Sequence, residues 1–316
     1  MSRRVHLEPF GRAIEVDDGA TILECALMEG IDYPFACQQG QCGSCKSLLL
    51  EGEVELGTLY NPLVLSPQER ARGLILACQA QPKSDCTVAA LAQDGRIVYP
   101  PRTLACRVRE ITTPLPGRSV VTLAVESGGP FGFVAGQCAK VSIAGAPARR
   151  LPIASPPQDE TLEFHWMHES HAAPAWGAGT PASVELPMGD AVLHDEHLGP
   201  IIALADPAGL ATMLSILRAA IRLELPQTMR LYILGGAALA DWLQGDAALA
   251  SASRRLRIFA AEDAATLVAR AVTEHADLPA CRAYLAGALS LIEAARAHFI
   301  ERGLAPENFV AEEQSC

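Results

Sequence analysis

The chain has 316 residues, half of them hydrophobic, and a formal net charge of −11, which is apolar material for two or three buried cores. The acidic balance argues against nucleic acid as a partner and suits docking on a basic protein surface. No apolar run is long enough to span a bilayer, since the best candidate, Ile201 to Ile221, is broken by Asp206, Pro207 and Arg218. Ser2-Arg3-Arg4 hints at a twin-arginine signal but lacks the apolar segment such a signal needs, and the ten cysteines fit a reducing compartment, so the expected location is the cytoplasm.

Residues 1–92 read as a small α+β unit. Val5-His6-Leu7 and Ala13 to Val16 predict two strands joined in a hairpin through Gly11. Thr21 with Glu24 three residues on predicts a capping box, and Ile22, Leu23, Ala26 and Leu27 give the helix that follows a core face. Lys46 to Leu50 is a predicted strand turned by Glu51-Gly52, and Ser66-Pro67-Gln68-Glu69 opens a short helix before the apolar run Leu74 to Ala77.

Between these elements stands Cys37-Gln-Gln-Gly40-Gln-Cys42-Gly43-Ser-Cys45, with Cys78 following at a distance. That is the C-x4-C-x2-C…C spacing of plant-type [2Fe–2S] ligands. Thiolates are the soft ligands that iron and sulfide need. Gly40 and Gly43 let a wrapping loop reach φ > 0 and turn backbone N–H groups toward sulfur, where they help set a reduction potential. A four-cysteine zinc site is the alternative, although it more often shows paired C-x2-C units; a disulfide pair would need an oxidising compartment.

Gln93 to Arg102 is polar and proline-bearing, a predicted linker. From 103 to 196 short β runs (Ala105 to Ile111, Ser119 to Val125, Cys138 to Ile143, Leu162 to Met167) alternate with Gly and Pro clusters, as in an antiparallel barrel or sandwich. From 197 to 316 strands and helices alternate, as in a parallel α/β sheet: strands at Pro200 to Ala205, Met229 to Leu234, Arg257 to Ala260 and Ala283 to Ala286, helices at Gly209 to Leu223 and Leu289 to Arg302.

This order resembles the reductase component of multicomponent bacterial oxygenases, within the ferredoxin–NADP reductase superfamily. The resemblance is strongest in Pro34-Phe35-Ala36-Cys37 through Cys45 and in Leu76-Ala77-Cys78-Gln79. Beyond residue 92 it rests on Phe133-Val-Ala-Gly136-Gln137, Arg149 to Ser155, Gly209-Leu210-Ala211 and Tyr284 to Gly287. It implies a β-grasp ferredoxin domain at 1–92, a linker at 93–102, a flavin-binding β-barrel at 103–196 and a nucleotide-binding α/β domain at 197–316. It implies Cys37, Cys42, Cys45 and Cys78 as cluster ligands, FAD against Arg149, Leu151, Pro152, Ile153 and Ser155, and NAD(P)H at the turn holding Gly209.

The chain departs from the family pattern at both later sites. The flavin signature Arg-x-Tyr-Ser reads Arg149-Arg150-Leu151-Pro152, which keeps the phosphate arginine but offers neither a π face nor a hydroxyl. The glycine-poor stretch His168 to Pro174 stands at the second flavin phosphate element. The Gly-Gly-Thr-Gly nucleotide turn reads Asp206-Pro207-Ala208-Gly209, whose acid would repel a pyrophosphate. The arginine that often follows the next strand is replaced by Gly235-Gly236-Ala237-Ala238, and Cys-Gly-Pro reads Ala286-Gly287-Ala288.

Two functions therefore stand side by side. One is an NAD(P)H-dependent electron-transfer oxidoreductase feeding a terminal oxygenase or similar partner from the loop near Gln38 to Ser44. The other is a flavin-free relay or scaffold subunit, fed by a separate flavoprotein. His165, His168 and His171 have metal-like spacing, but a strand would send His165 and His168 to opposite faces. His194 to His197 reads as a solvated connection, Trp176 and Trp242 as packing residues, and Met213, Ile216, Leu217 and Ala220 as a core helix face. Cys25, Cys86, Cys106, Cys138 and Cys281 read as small buried hydrophobes. The twelve acidic against seven basic residues over 1–92 could steer a basic partner or form an ordinary solvated surface.

Overall fold

The computed structural model describes residues 2–8, 10–71, 73–90, 99, 101–128, 131–157, 159–168, 176–275 and 277–314. Most of the predicted linker, most of the 168–174 stretch with His171, and Cys316 lie outside them. The chain divides into two compact units, residues 1–101 with 129–133, and residues 102–128 with 134–316. Among the described residues no helix is long and apolar enough to cross a membrane.

In the first unit, β1 (Arg3–Glu8) and β2 (Arg12–Val16) pair antiparallel around Gly11, and their alternation buries Val5, Leu7, Ile14 and Val16. Each such side chain contributes roughly 1.5–3 kcal/mol on full burial. Helix α1 (Ile22–Met28) starts at the Thr21–Glu24 capping box, with both reciprocal bonds made. β3 (Lys46–Glu51), β4 (Val54–Leu56), α2 (Pro67–Ala71), β5 (Leu74–Leu76), β6 (Ala80–Pro82) and β7 (Cys86–Ala90) complete the unit. The main sheet runs β2-β1-β7-β3-β5, with β1 and β7 parallel, and β4 and β6 form a separate ribbon. Strand β7 is absent from the sequence reading because all five of its residues are buried, so it shows no alternation.

The second unit opens with six antiparallel strands: β8 (Arg102–Leu115), β9 (Arg118–Ser127), β10 (Cys138–Ile143), β11 (Arg149–Pro152), β12 (Thr161–Met167) and β13 (Pro181–Met188). Their order is β11-β10-β13-β8-β9-β12, and an Ile153–Phe164 bridge draws the two edges together into a nearly closed barrel. There follow β14 (Ile201–Ala205), α3 (Leu210–Arg222), β15 (Met229–Leu234), α4 (Ala237–Gln244), α5 (Ala247–Ser251), β16 (Leu256–Ala261), α6 (Ala264–Thr273), β17 (Arg282–Gly287), α7 (Leu289–Glu301) and β18 (Phe309–Glu313). These five strands form one parallel sheet, ordered β16-β15-β14-β17-β18.

Helix α3 joins this sheet to the barrel and is buried on nearly every side. Ser215 Oγ donates to the Ser155 carbonyl at 3.0 Å and accepts from the Gly136 N–H at 3.3 Å. Arg218 donates to the Ala154 carbonyl (3.1 Å), to Glu163 (2.7 Å) and to Asp246 (2.5 Å). Burial opposes the charge of Glu163. The His165 ring beside it and the Arg218 guanidinium outweigh it and hold the carboxyl at about 2. Because Arg118 donates to His165 Nδ1 at 2.8 Å, that nitrogen accepts, and Nε2–H faces Glu163 Oε1 at 3.5 Å.

Trp166, Trp176 and Trp242 all lie in this unit, so tryptophan fluorescence reports it alone. Arg218→Met leaves two half-buried carboxylates uncompensated and is expected to lower stability by about 1–3 kcal/mol, read from the urea midpoint. The depressed Glu163 contributes stability that is full above its ordinary value of 4.5 and is lost as pH falls toward about 2. The wild type should therefore lose stability between those values more steeply than Glu163→Gln; equal slopes would remove Glu163 as the source.

Candidate functional site

The cysteine loop spans the gap between α1 and β3. Gln38 (φ 57°), Gly40 (φ 71°) and Gly43 (φ 79°) are left-handed and turn its amides inward. The N–H groups of Gln39 and Gln41 donate to Cys37 Sγ at 3.4 and 3.3 Å, and the Cys37 N–H donates to Cys42 Sγ at 3.4 Å. Cys78 comes from the far side, just beyond β5. The Ala77 N–H donates to the Cys45 carbonyl (3.0 Å), the Leu23 N–H donates to the Ala77 carbonyl (3.1 Å), and the Gly40 N–H reaches Cys78. Cys45 and Cys78 are buried with their sulfurs 3.2 Å apart, while Cys42 is exposed.

These contacts favour the thiolate at Cys42 and Cys78 and the thiol at Cys45. The Ser44 hydroxyl and backbone pull Cys42 down to about 6. The Cys45 thiol donates to Cys78, which lowers Cys78 to about 6 and raises Cys45. Four soft donors, backed by backbone N–H groups aimed at sulfur, are the donor set that a two-iron cluster requires.

A second loop, residues 57–65, packs on the first. The Asn61 N–H donates to the Gly40 carbonyl at 3.0 Å and the Gly57 N–H to the Gln79 carbonyl at 2.8 Å. Gly40 is compelled twice: its φ is positive, and a Cβ there would stand 2.7 Å from Tyr60 Cβ. Leu59 and Leu63 on this loop are 81 % and 93 % exposed.

The residues expected to meet flavin divide. Arg149 reaches the surface, with Nη1 donating to the Met167 carbonyl at 2.9 Å and its guanidinium 4.6 Å over Trp166. Leu151 is half-buried and Pro152 buried on the same edge strand, β11. Ile153 and Ser155 turn inward: Ile153 closes the barrel, and Ser155 Oγ accepts the Glu163 N–H at 3.1 Å. The surface of β11 thus offers a flavin two exposed arginines, of which Arg150 is paired with Glu312, and an apolar flank, with no side-chain hydroxyl at positions 151 or 152.

At the turn after β14, Asp206 Oδ1 accepts the N–H groups of Ala208 and Gly209, both at 2.9 Å, and Oδ2 accepts that of Ala288 at 2.7 Å. Gly209 packs tightly, since a Cβ on it would meet the Ala286 carbonyl oxygen at 2.0 Å. The donors that would meet a nucleotide pyrophosphate already hold the chain's own carboxylate, so this turn as it stands does not fit that group.

His165 and His168 serve separate partners, Arg118 and, at 2.8 Å, Ser119 Oγ. Sequence reasoning missed Arg118 and the Arg150–Glu312 pair (2.6 Å), with Cys138 Sγ 3.8 Å from the same carboxylate. Arg118 sits in an apolar strand and Glu312 lies 162 residues from its partner, so neither carries a local signal.

A family profile described as a 2Fe-2S iron-sulfur cluster binding domain matches residues 5–83. The chain is 33 % identical over 250 residues to the aromatic O-demethylase reductase subunit of Amycolatopsis, covering 73 % of this chain and 72 % of that one. It is 35 % identical over 230 residues to the ferredoxin–NAD(+) reductase component of the alkene monooxygenase system of Xanthobacter autotrophicus, covering 70 % and 69 %. The crystal structure of the Amycolatopsis cytochrome P450 reductase GcoB superimposes with a TM-score of 0.59 at 27 % identity, over 98 % of each chain. The chain belongs to the family of ferredoxin reductase components of oxygenase systems.

Gly40→Ala is expected to strain the loop and push Tyr60 away, leaving the purified protein with less than half the wild-type iron and visible absorbance per chain. Iron content equal to wild type would show that the loop yields at no cost.

Proposed function

We propose that this chain carries single electrons as the reductase component of an oxygenase system, through a [2Fe–2S] cluster held by Cys37, Cys42, Cys45 and Cys78. The observations that carry the reading are the Cys45–Cys78 sulfur pair, drawn from two segments, and the loop amides aimed at the Cys37 and Cys42 sulfurs. The cluster, when bound, stores and passes one electron at a time. Gly40 and Gly43 shape the loop, Cys42 brings it to the surface, and the rim between Gln38 and Ser44 is where an oxygenase or another redox partner would take electrons.

Relatives that are ferredoxin–NAD(+) and ferredoxin–NAD(P)(+) reductase components support NAD(P)H as the electron source, and a flavin would be the group that divides its electron pair. Arg149 would meet a flavin phosphate, and Leu151 and Pro152 would pack against the ring. The domain bounds 1–92, 103–196 and 197–316, with a linker at 93–102, go with this reading, as does a cytoplasmic location. A second reading, a flavin-free relay fed by another flavoprotein, draws support from the missing hydroxyl at Pro152 and the filled turn at Asp206.

A visible spectrum of the anaerobically purified protein, with acid-released flavin quantified before and after NADH, separates the two. The reductase reading expects one flavin per cluster and bleaching by NADH. Cluster absorbance without flavin, unresponsive to NADH, would establish the relay instead. Cys45→Ser should lose most of the cluster absorbance and the transfer of electrons to an acceptor, and a full spectrum in that variant would sink both readings.

A further inference from the structure

Open parallel sheets take ligands beyond the carboxyl ends of their strands, at the point where the strand order reverses. Here that point lies between β14 and β17, because the chain runs outward from β14 through β15 to β16 and then returns to β14's other side. Two chain segments present amides at this crevice: the Asp206–Gly209 turn before α3, and Ala288 before α7. Elsewhere such amides receive a phosphate or another anion. In this chain they receive Asp206.

The fit of that carboxylate is specific. Both of its oxygens are engaged, by three amides between 2.7 and 2.9 Å away, drawn from both sides of the crevice. Gly287 makes room for it: a Cβ there would lie 2.5 Å from Asp206 Cγ. The turn is also held from the barrel, where the buried Arg118 donates Nη2–H to the Pro207 carbonyl at 2.6 Å. A residue that merely replaced a glycine by drift would not have a cleared space, three matched donors and a guanidinium fixing its backbone.

We propose that Asp206 is a built-in anion at the nucleotide-phosphate position, setting the chain's affinity for pyridine nucleotide by competing with the pyrophosphate for the same amides. The proposal rests on the reading that the chain takes NAD(P)H. Asp206 weakens nucleotide binding twice, by occupying donors and by placing a negative charge where more negative charge must come. It leaves the nucleoside end of the ligand untouched.

The test is calorimetric titration of NADH, and separately of adenosine, into the full-length wild type, Asp206→Asn, Asp206→Gly and Asp206→Glu. Asn keeps the shape and loses the charge, Gly empties the crevice, and Glu keeps the charge. NADH should bind at least tenfold more tightly to the Asn variant and more tightly still to the Gly variant, with no gain for Glu and no change for adenosine in any. If the Gly variant fails to fold, the Asn variant decides. NADH affinity within twofold of wild type in the Asn and Gly variants, or an equal gain for adenosine, overturns the proposal. Failure of the underlying reading looks different: tighter NADH binding with no bleaching in any variant leaves Asp206's role standing and removes the reductase. Bleaching of the wild type without tighter binding does the reverse.

Discussion

Sulfur accepts weak hydrogen bonds, and it can collect several at once only if a backbone turns its amides inward. That constraint organises the first unit. The loop takes left-handed turns at Gln38, Gly40 and Gly43 to do so, and a loop bent in this way has no regular ladder of its own. Its support comes from outside: α1 through the Leu23 amide, β5 through Ala77, and the 57–65 loop through Asn61. The β-grasp sheet is the frame that holds these three supports in place while the thiols converge.

The second unit meets a different difficulty, the joining of a barrel to a parallel sheet without a dry seam of unpaired polar groups. Helix α3 provides the join. Its apolar residues fill the contact, and Ser215 and Arg218 satisfy carbonyls that the barrel leaves open at Ala154 and Ser155. A half-buried guanidinium between two carboxylates adds little net stability over a hydrophobic contact, but it fixes one arrangement, because any slippage strands a charge. Arg118 acts in the same way at the neighbouring turn.

Much of this was legible in the sequence, and the exceptions have physical causes. The cysteine spacing, the Thr21–Glu24 cap and the strand–helix alternation after residue 197 are local patterns, and they stand in the structure as read. The strands β4, β6, β7, β11, β13 and β18 were missed, β7 for want of alternation and β13 because Pro181 and Pro187 argue against a ladder. The helices α4 and α5 are short and rich in alanine and so carry little periodic signal, whereas α6 has a clear apolar stripe in Leu267, Val268, Ala271 and Val272 and an Asp263 cap that were both readable. At the sites, the charge of Asp206 was visible but its partners were not, since Ala288 is 82 residues away. Ser155 looked available because the sequence shows its hydroxyl and not its bond to the Glu163 amide.

The rim of the cysteine loop has a further consequence, for kinetics. The stretches 33–45 and 57–65 contain no Asp, Glu, Lys, Arg or His, in a chain that carries −11 overall. Apart from the cluster's own thiolates these stretches offer a partner no side-chain charge of their own, and Leu59 and Leu63 stand exposed on the second. A partner meeting this rim is sorted at contact by shape and the release of water. Added salt would slow the approach while leaving the lifetime of the encounter nearly unchanged.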